Sequence, residues 1–330
     1  MEILAYGVQS DERPLLEAAL AAHQPHLLDV FLTADTAPLA VGHPVVSSSV
    51  NDDLDADVLA LLAAGGTRLI AQRATGFNNI DLDAAAALGL TVARVSYYSP
   101  YAVAEHAWTL ALAVNRRLIR SVNRAREFDF RLDGLMGRDI HGMTVGVLGT
   151  GKIGECFARI AAGFGTTLLG WDVKPNPHCE ALGMTYVEKD ELLARSDVLS
   201  LHVPLLDATH HLIDRDALAR MKHDAILVNS SRGGLVDAVA LVETLRAGRL
   251  AGVGLDVYEE EANVFFTDRS GSGISDDVLA RLISFPQVLV TSHQAYFTRT
   301  AVGQIIDATA RNVHDFIEGR TNENTLVPKP

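Results

Sequence analysis

Short apolar runs alternate with longer amphipathic stretches along the chain, and that alternation predicts strands and helices in turn. In the first third, Ile3 to Tyr6, Leu27 to Leu32, the region of Val45-Val46, Leu69-Ile70-Ala71 and Val92 to Val95 read as buried strands. Helices are expected from about Pro14 to Ala22 and from Asp55 to Ala64, the second stopped by Gly65-Gly66. A long apolar helix from Tyr101 to about Arg120 is expected to bridge two domains, and its apolar character suggests a buried dimer face. The pattern then restarts with strands at 145–148, 168–171, 198–201, 225–229, 252–256 and 288–291. Residues 300–318 form a last amphipathic helix, followed by a polar, proline-ended tail from Glu323 to Pro330. Strands separated by helices give an α/β fold with open parallel sheets.

The strand at 145–148 runs into Gly149-Thr150-Gly151-Lys152-Ile153-Gly154, where Gly149, Gly151 and Gly154 keep the G-x-G-x-x-G spacing. The first glycine makes a tight turn, the second lets backbone approach a pyrophosphate, and the third packs the helix on the sheet. The helix N-terminus then offers free N–H groups and a positive dipole end to phosphate. Glycine turns that open helices are common, so the pattern alone is weak evidence. Leu168-Leu169-Gly170-Trp171-Asp172 strengthens it, since Asp172 lies 18 residues after Gly154 at the end of an apolar strand. A carboxylate there accepts from ribose hydroxyls and repels a 2′-phosphate, which favours NAD over NADP. Lys174, two residues on, tempers that preference.

At 330 residues the chain exceeds one ordinary core and fits two domains. Its 48% hydrophobic and 21% charged residues are those of a soluble globular protein. The acid-bearing start Met1-Glu2-Ile3-Leu4-Ala5-Tyr6 lacks the form of a secretory signal, so a cytoplasmic protein is expected. Glu105, His106 and Asn115 interrupt the most apolar helix, arguing against a membrane span. Cys156 and Cys179 are the only cysteines and form no C-x-x-C, so neither a disulfide framework nor a zinc site is expected, and no metal is assigned to the chemistry. A formal charge of −13 argues against nucleic-acid binding and makes any anion site a local one.

Three further segments place reactive side chains just after expected strands, where open α/β sheets bind ligands. They are Val228-Asn229-Ser230-Ser231-Arg232-Gly233-Gly234, Leu255-Asp256-Val257-Tyr258-Glu259-Glu260-Glu261, and Val290-Thr291-Ser292-His293-Gln294-Ala295. Singly, an arginine is usually a surface residue, a histidine a packed ring and a glutamate run a solvated face. Together they suit the reduction of a 2-oxo acid. An arginine pairs bidentately with the carboxylate, a histidine moves a proton at the 2-oxygen, and a glutamate beside the imidazole stabilises its protonated form.

With Gly76-Phe77-Asn78-Asn79-Ile80-Asp81 and Tyr97-Tyr98-Ser99-Pro100, these segments resemble the D-isomer-specific 2-hydroxyacid dehydrogenases over essentially the whole chain. The Phe265-Phe266-Thr267-Asp268 insertion, Asp276-Asp277 and the His293-Gln294-Ala295 run are most similar to the fermentative D-lactate dehydrogenase branch. The resemblance implies two Rossmann or flavodoxin-like domains with the active site in the cleft between them. Residues 1–99 plus 300–330 would form the substrate domain and 100–299 the NAD-binding domain. It implies Arg232 for the substrate carboxylate, His293 as acid/base and Glu261 as its partner. Gly76, the backbone about Phe77 and the Tyr98 hydroxyl would complete the substrate contacts, with Tyr296 shaping the pocket for a larger side chain. Thr150, Lys152, Ile153 and Asp172 would hold NAD, with Ser230 and Ser231, Val203, Pro204 and Thr209 nearby and Asp256 facing the nicotinamide amide. Ala262 replaces the proline other branches carry, Tyr97 is bulkier than expected, and Ser49-Val50-Asn51 lacks an aromatic lid. The expected activity is NADH-dependent reduction of pyruvate to D-lactate by a homodimer or homotetramer. The alternatives are a larger 2-oxo acid such as phenylpyruvate, or an NAD-sensing corepressor.

Overall fold

The structure is a computed structural model that describes residues 1–262 and 264–326. The chain divides into two units, residues 1–99 with those from 297 onward, and residues 100–296.

In the first unit, β1 (Ile3–Ala5), β2 (Pro25–Leu27), β3 (Val45–Ser48), β4 (Leu69–Gln72) and β5 (Thr91–Ala93) are parallel, in the order β5-β4-β3-β1-β2. Strand β2 starts earlier and ends sooner than the expected Leu27 to Leu32. Past Leu27 the chain leaves the ladder to wrap the end of β1, with Val8 N–H donating to the Leu28 carbonyl and Gly7 N–H to that of Val30. Leu32 still reaches the core, so its apolarity reported burial and not strand. Helix Ala56–Ala64 is capped by Asp55, whose carboxylate accepts the Val58 N–H at 2.9 Å.

The second unit carries β6 (Thr144–Leu148), β7 (Thr167–Trp171), β8 (Thr185–Tyr186), β9 (Val198–Leu201), β10 (Ile226–Asn229), β11 (Gly252–Leu255) and β12 (Val288–Val290). All are parallel, in the order β12-β11-β10-β9-β6-β7-β8. The order reverses between β6 and β9, so the glycine turn after β6 lies at the switch point where such sheets bind ligands. Six of these strands were readable as apolar runs. The two-residue β8 was not, because it is too short to show a period.

The long apolar helix is two helices, Pro100–Asn115 and Leu118–Arg126, broken where Arg117 takes a left-handed φ of 50°. Much of its apolar side is used within the second unit, whereas Tyr101, Leu118 and Ile119 stay exposed. Ala104, Ala107, Leu110, Ala111 and Val114 share a core with Val145, Phe157 and Val228, and Trp108 meets the rings of Phe157 and Phe164 edge-on at 5.3 and 4.9 Å. That packing explains two glycines in β11. A Cβ on Gly252 would lie 1.8 Å from Val114 Cγ1, and one on Gly254 2.8 Å from Leu110 Cβ.

The chain then returns to the first unit through helix Arg299–Ile317, capped by Thr298, and β13 (Thr325–Leu326), antiparallel to β5. Of the expected polar tail, residues 327–330 lie outside the described residues. Asn324 is buried and accepts the Ser96 N–H at 3.1 Å, so this end is part of the packing. Among the described residues no helix is long and apolar enough to cross a membrane.

Candidate active site

The three glycines of the turn differ in what surrounds them. Gly149 has φ +98°, and a Cβ there would stand 2.7 Å from the Val203 nitrogen. A Cβ on Gly154 would lie 2.0 Å from the Gly149 carbonyl oxygen, so this glycine lets the helix meet the turn. Gly151 caps helix Lys152–Gly163, and a Cβ on it would meet nothing within 4 Å among the described residues. The turn is therefore closed at both ends and open at its middle, where phosphate oxygens would approach N–H groups.

Asp172, just past β7, is held toward this turn. It accepts from the Thr150 N–H at 2.6 Å and from the Thr150 hydroxyl at 3.3 Å. Tyr186 donates to that hydroxyl at 2.8 Å and accepts the Asn176 N–H at 2.8 Å. The Asn176 amide spans the Thr150 carbonyl at 2.8 Å and Glu155 at 3.1 Å. Asn176 and Tyr186 escaped the sequence reading because neither belongs to a spaced motif, and Tyr186 lies on the short β8.

After β9, the Thr209 hydroxyl donates to the Pro204 carbonyl at 2.7 Å and accepts the Leu206 N–H at 2.8 Å, so it knots the loop that follows buried Val203. The His202 ring packs against Phe157 at 5.0 Å and hydrogen-bonds with Ser200 at 2.9 Å. Burial pushes this imidazole down to about 3.

The loops after β10, β11 and β12 are neighbours because their strands are adjacent. In the first, the Ser231 hydroxyl donates to the Val203 carbonyl at 2.6 Å, and the Asn229 amide donates to the Arg232 carbonyl at 2.8 Å. Arg232 is partly exposed, with Nη1 on the Ser231 carbonyl at 2.7 Å. A Cβ on Gly233 would fall 2.0 Å from the Tyr258 carbonyl carbon, so this loop presses backbone to backbone on the next.

There Asp256 is fully buried. Its Oδ1 accepts from the Thr291 hydroxyl at 2.6 Å and the Gln294 N–H at 3.0 Å, and lies 3.2 Å from His106 Nε2. Its Oδ2 accepts the Ala295 N–H at 2.8 Å. Burial works to raise this carboxyl, but hydrogen bonds from His106, Thr291 and Ala295 outweigh it and hold Asp256 below the ordinary carboxylate value. His106 was another residue missed, read only as a polar break in an apolar helix.

The turn so anchored carries His293 in a left-handed conformation, φ 52°, a strained state for a residue with a side chain. Its Nδ1 lies 2.6 Å from Glu261 Oε1, while Glu261 Oε2 accepts the Tyr258 N–H at 3.0 Å. Tyr258 in turn donates to Asp276 at 2.8 Å, and burial raises its phenol. Asp276 also caps helix Asp277–Ser284, and Phe266 from the insertion lies 6.2 Å from the His293 ring. Tyr296 ends the second unit directly after this turn.

Gly76, Phe77 and Tyr98 belong to the first unit. Buried Gln72 donates to the Gly76 carbonyl at 3.3 Å and to Asn79 at 3.1 Å. Arg94 lies over the Phe77 ring at 4.9 Å and donates to the Thr75 carbonyl at 2.9 Å, so the loop is fixed from both sides.

The second unit is thus a doubly wound dinucleotide-binding domain of a dehydrogenase. Residues 108–295 match the family described as D-isomer specific 2-hydroxyacid dehydrogenase, NAD binding domain. The chain is 46% identical to 2-hydroxyacid dehydrogenase A of Aspergillus oryzae, covering 99% of this chain and 95% of that one. It is 41% identical to D-lactate dehydrogenase of Escherichia coli, over 99% of this chain and 100% of that one. The structure of the pyruvate reductase of Chlamydomonas reinhardtii superposes with a TM-score of 0.93 at 40% identity, covering 98% of each chain. The protein belongs to the D-isomer-specific 2-hydroxyacid dehydrogenases and is an NAD-dependent oxidoreductase. The residues present fit that cofactor. Gly151 leaves the turn open, Asp172 stands beside it, and the buried Ser230 hydroxyl after β10 has no hydrogen-bond partner among the described residues.

Proposed function

We propose that the protein reduces pyruvate to D-lactate at the expense of NADH. The observation that carries this reading is the Glu261–His293 pair at 2.6 Å, on loops adjacent to the one that presents Arg232. Arg232 pairs its fork with the substrate carboxylate and so orients the 2-oxo group. Glu261 holds His293 Nδ1, which leaves Nε2 as the atom that delivers a proton to the 2-oxygen. NADH, when bound, supplies the hydride to C2. Asp256 acts through the turn it anchors, positioning the His293 backbone. The same reading gives Gly149 to Gly154, Asp172, Val203, Pro204, Thr209, Ser230 and Ser231 to the cofactor, and Gly76, Phe77, Tyr98 and Tyr296 to the substrate.

The choice of a small substrate is supported by the relatives, one named a D-lactate dehydrogenase and one a pyruvate reductase. The test is NADH oxidation with pyruvate followed by chiral analysis of the product. D-lactate supports the assignment, and L-lactate or no turnover refutes it. Catalytic efficiency across 2-oxo acids of increasing chain length should fall from pyruvate onward. A rise toward phenylpyruvate would move the assignment to the larger acids.

We further assign a homo-oligomer to the chain. Phe128, Phe130, Leu132 and Met136 are 84, 74, 82 and 93% exposed in one short stretch, more apolar surface than isolated surface residues explain. Light scattering should give a mass that is a multiple of the chain's 35.5 kDa, and a monomer would refute it.

A further inference from the structure

One cluster of donors plays no part in the chemistry above. His210 and His211 are consecutive, and neighbours in extended chain would point their side chains apart. Here His211 takes a left-handed φ of 49°, and the two rings stack with centroids 4.0 Å apart and planes at 23°. The strained residue is held by its N–H, which donates to the Gly234 carbonyl at 2.8 Å. Glu259 faces both rings, its Oε1 2.5 Å from His211 Nε2 and 3.5 Å from His210 Nε2. One ligand atom from each of the three lies within 4.8 Å of the others.

We propose that His210, His211 and Glu259 form a binding site for a divalent ion of the zinc class. Two imidazole nitrogens and a carboxylate oxygen are the donors that such ions take, commonly with water in a fourth position. Bond lengths of roughly 2.0–2.2 Å in a tetrahedral site put neighbouring ligand atoms about 3.3–3.5 Å apart. The His210–Glu259 separation already meets that, and the His211–Glu259 hydrogen bond opens by about 1 Å to admit the ion. The side chains are 54, 34 and 24% exposed, which gives the ion a way in and the ligands room to adjust. The cysteine count that argued against a zinc site has no bearing on imidazoles. Bound there, the ion ties the loop after β9 to Glu259, two residues before Glu261 and against the backbone of Gly233. It braces the loops of Arg232 and Glu261 without touching either side chain.

The probe is Co²⁺ added to the metal-free protein, followed by visible absorption, with Zn²⁺ displacement and calorimetry. One equivalent of Co²⁺ should bind with low-coordinate visible bands and be displaced by Zn²⁺. His210→Ala and Glu259→Gln should each weaken binding by more than about 100-fold, the upper end of what loss of a mere supporting group costs. Circular dichroism and metal-free turnover of His210→Ala should match the parent, which separates a lost ligand from a damaged fold. Failure of the parent to bind Co²⁺ or Zn²⁺ overturns the proposal. Parental affinity in both variants also overturns it, since the ion would then sit elsewhere, for example between His26 and His43, whose Nδ1 and Nε2 are 3.1 Å apart.

Discussion

Asp256 holds His293 by main chain and side chain together. Its carbonyl accepts the His293 N–H at 2.7 Å, and its carboxylate accepts the N–H groups of the next two residues. The strained φ of His293 persists because this carboxylate grips the turn after it. In Asp256→Asn an amide NH₂ must face either the Gln294 or the Ala295 donor, a mismatch of about 1–3 kcal/mol. The variant should lose that much stability in denaturant unfolding and fall in kcat. An active variant with parental kcat would show that the turn keeps its shape unaided.

Replacing His293 by Gln removes the proton donor without vacating the space. Turnover should drop by roughly 10² or more while NADH binding, measured by fluorescence, stays near parental. Parental turnover in this variant would contradict the assignment.

The glycines at 151 and 154 should separate binding from folding. Gly151→Ala adds a methyl into open space at φ −66°, so the fold stands while the methyl obstructs the phosphate approach. The NADH dissociation constant should rise by roughly tenfold, about 1.4 kcal/mol, with no change in melting temperature. Gly154→Ala meets a backbone oxygen at 2.0 Å and should lower the melting temperature as well. Equal effects of the two substitutions on stability would refute this division.

His202 makes stability depend on pH in a defined window. Its imidazole is held down to about 3 from an ordinary 6.5. Between those values the unfolded chain takes up a proton that the native ring refuses. The contribution is therefore intact above pH 6.5 and lost as pH falls toward 3, with a limiting slope of about 1.4 kcal/mol per pH unit. In His202→Asn the difference in unfolding free energy between neutral and mildly acidic solution should shrink. An unchanged difference would mean that other groups carry the acid sensitivity.

Apolar runs and glycine spacing carried most of the fold because buried parallel strands have little freedom in what they contain. Val145, Leu168, Val198, Ile226 and Val253 each announced a strand, and Gly149, Gly151 and Gly154 announced the turn. What the pattern hid was set by partners distant in sequence. Nothing near Arg117 marks a helix break, since the break is stabilised by its guanidinium on the Ala251 carbonyl at 2.7 Å. His106 and Tyr186 matter only once β12 and the glycine turn have been brought beside them. The pairing of Glu261 with His293 was legible as chemistry, but its dependence on Asp256 was not, because a fully buried carboxylate and a strand-end acid look alike in sequence.

The antiparallel pairing of β13 with β5 has a consequence during synthesis. The ribosome finishes residues 100–296 before it makes helix Arg299–Ile317 and β13, so every part of the nucleotide-binding unit has been made before the first unit has its last strand. Residues 1–99 wait, with the edge of β5 unpaired, until β13 emerges. An unpaired edge is a template for other strands. In the newborn protein the hazard therefore lies with the segment that was made first, and a ribosome stalled shortly before residue 325 would hold a chain with that edge still bare.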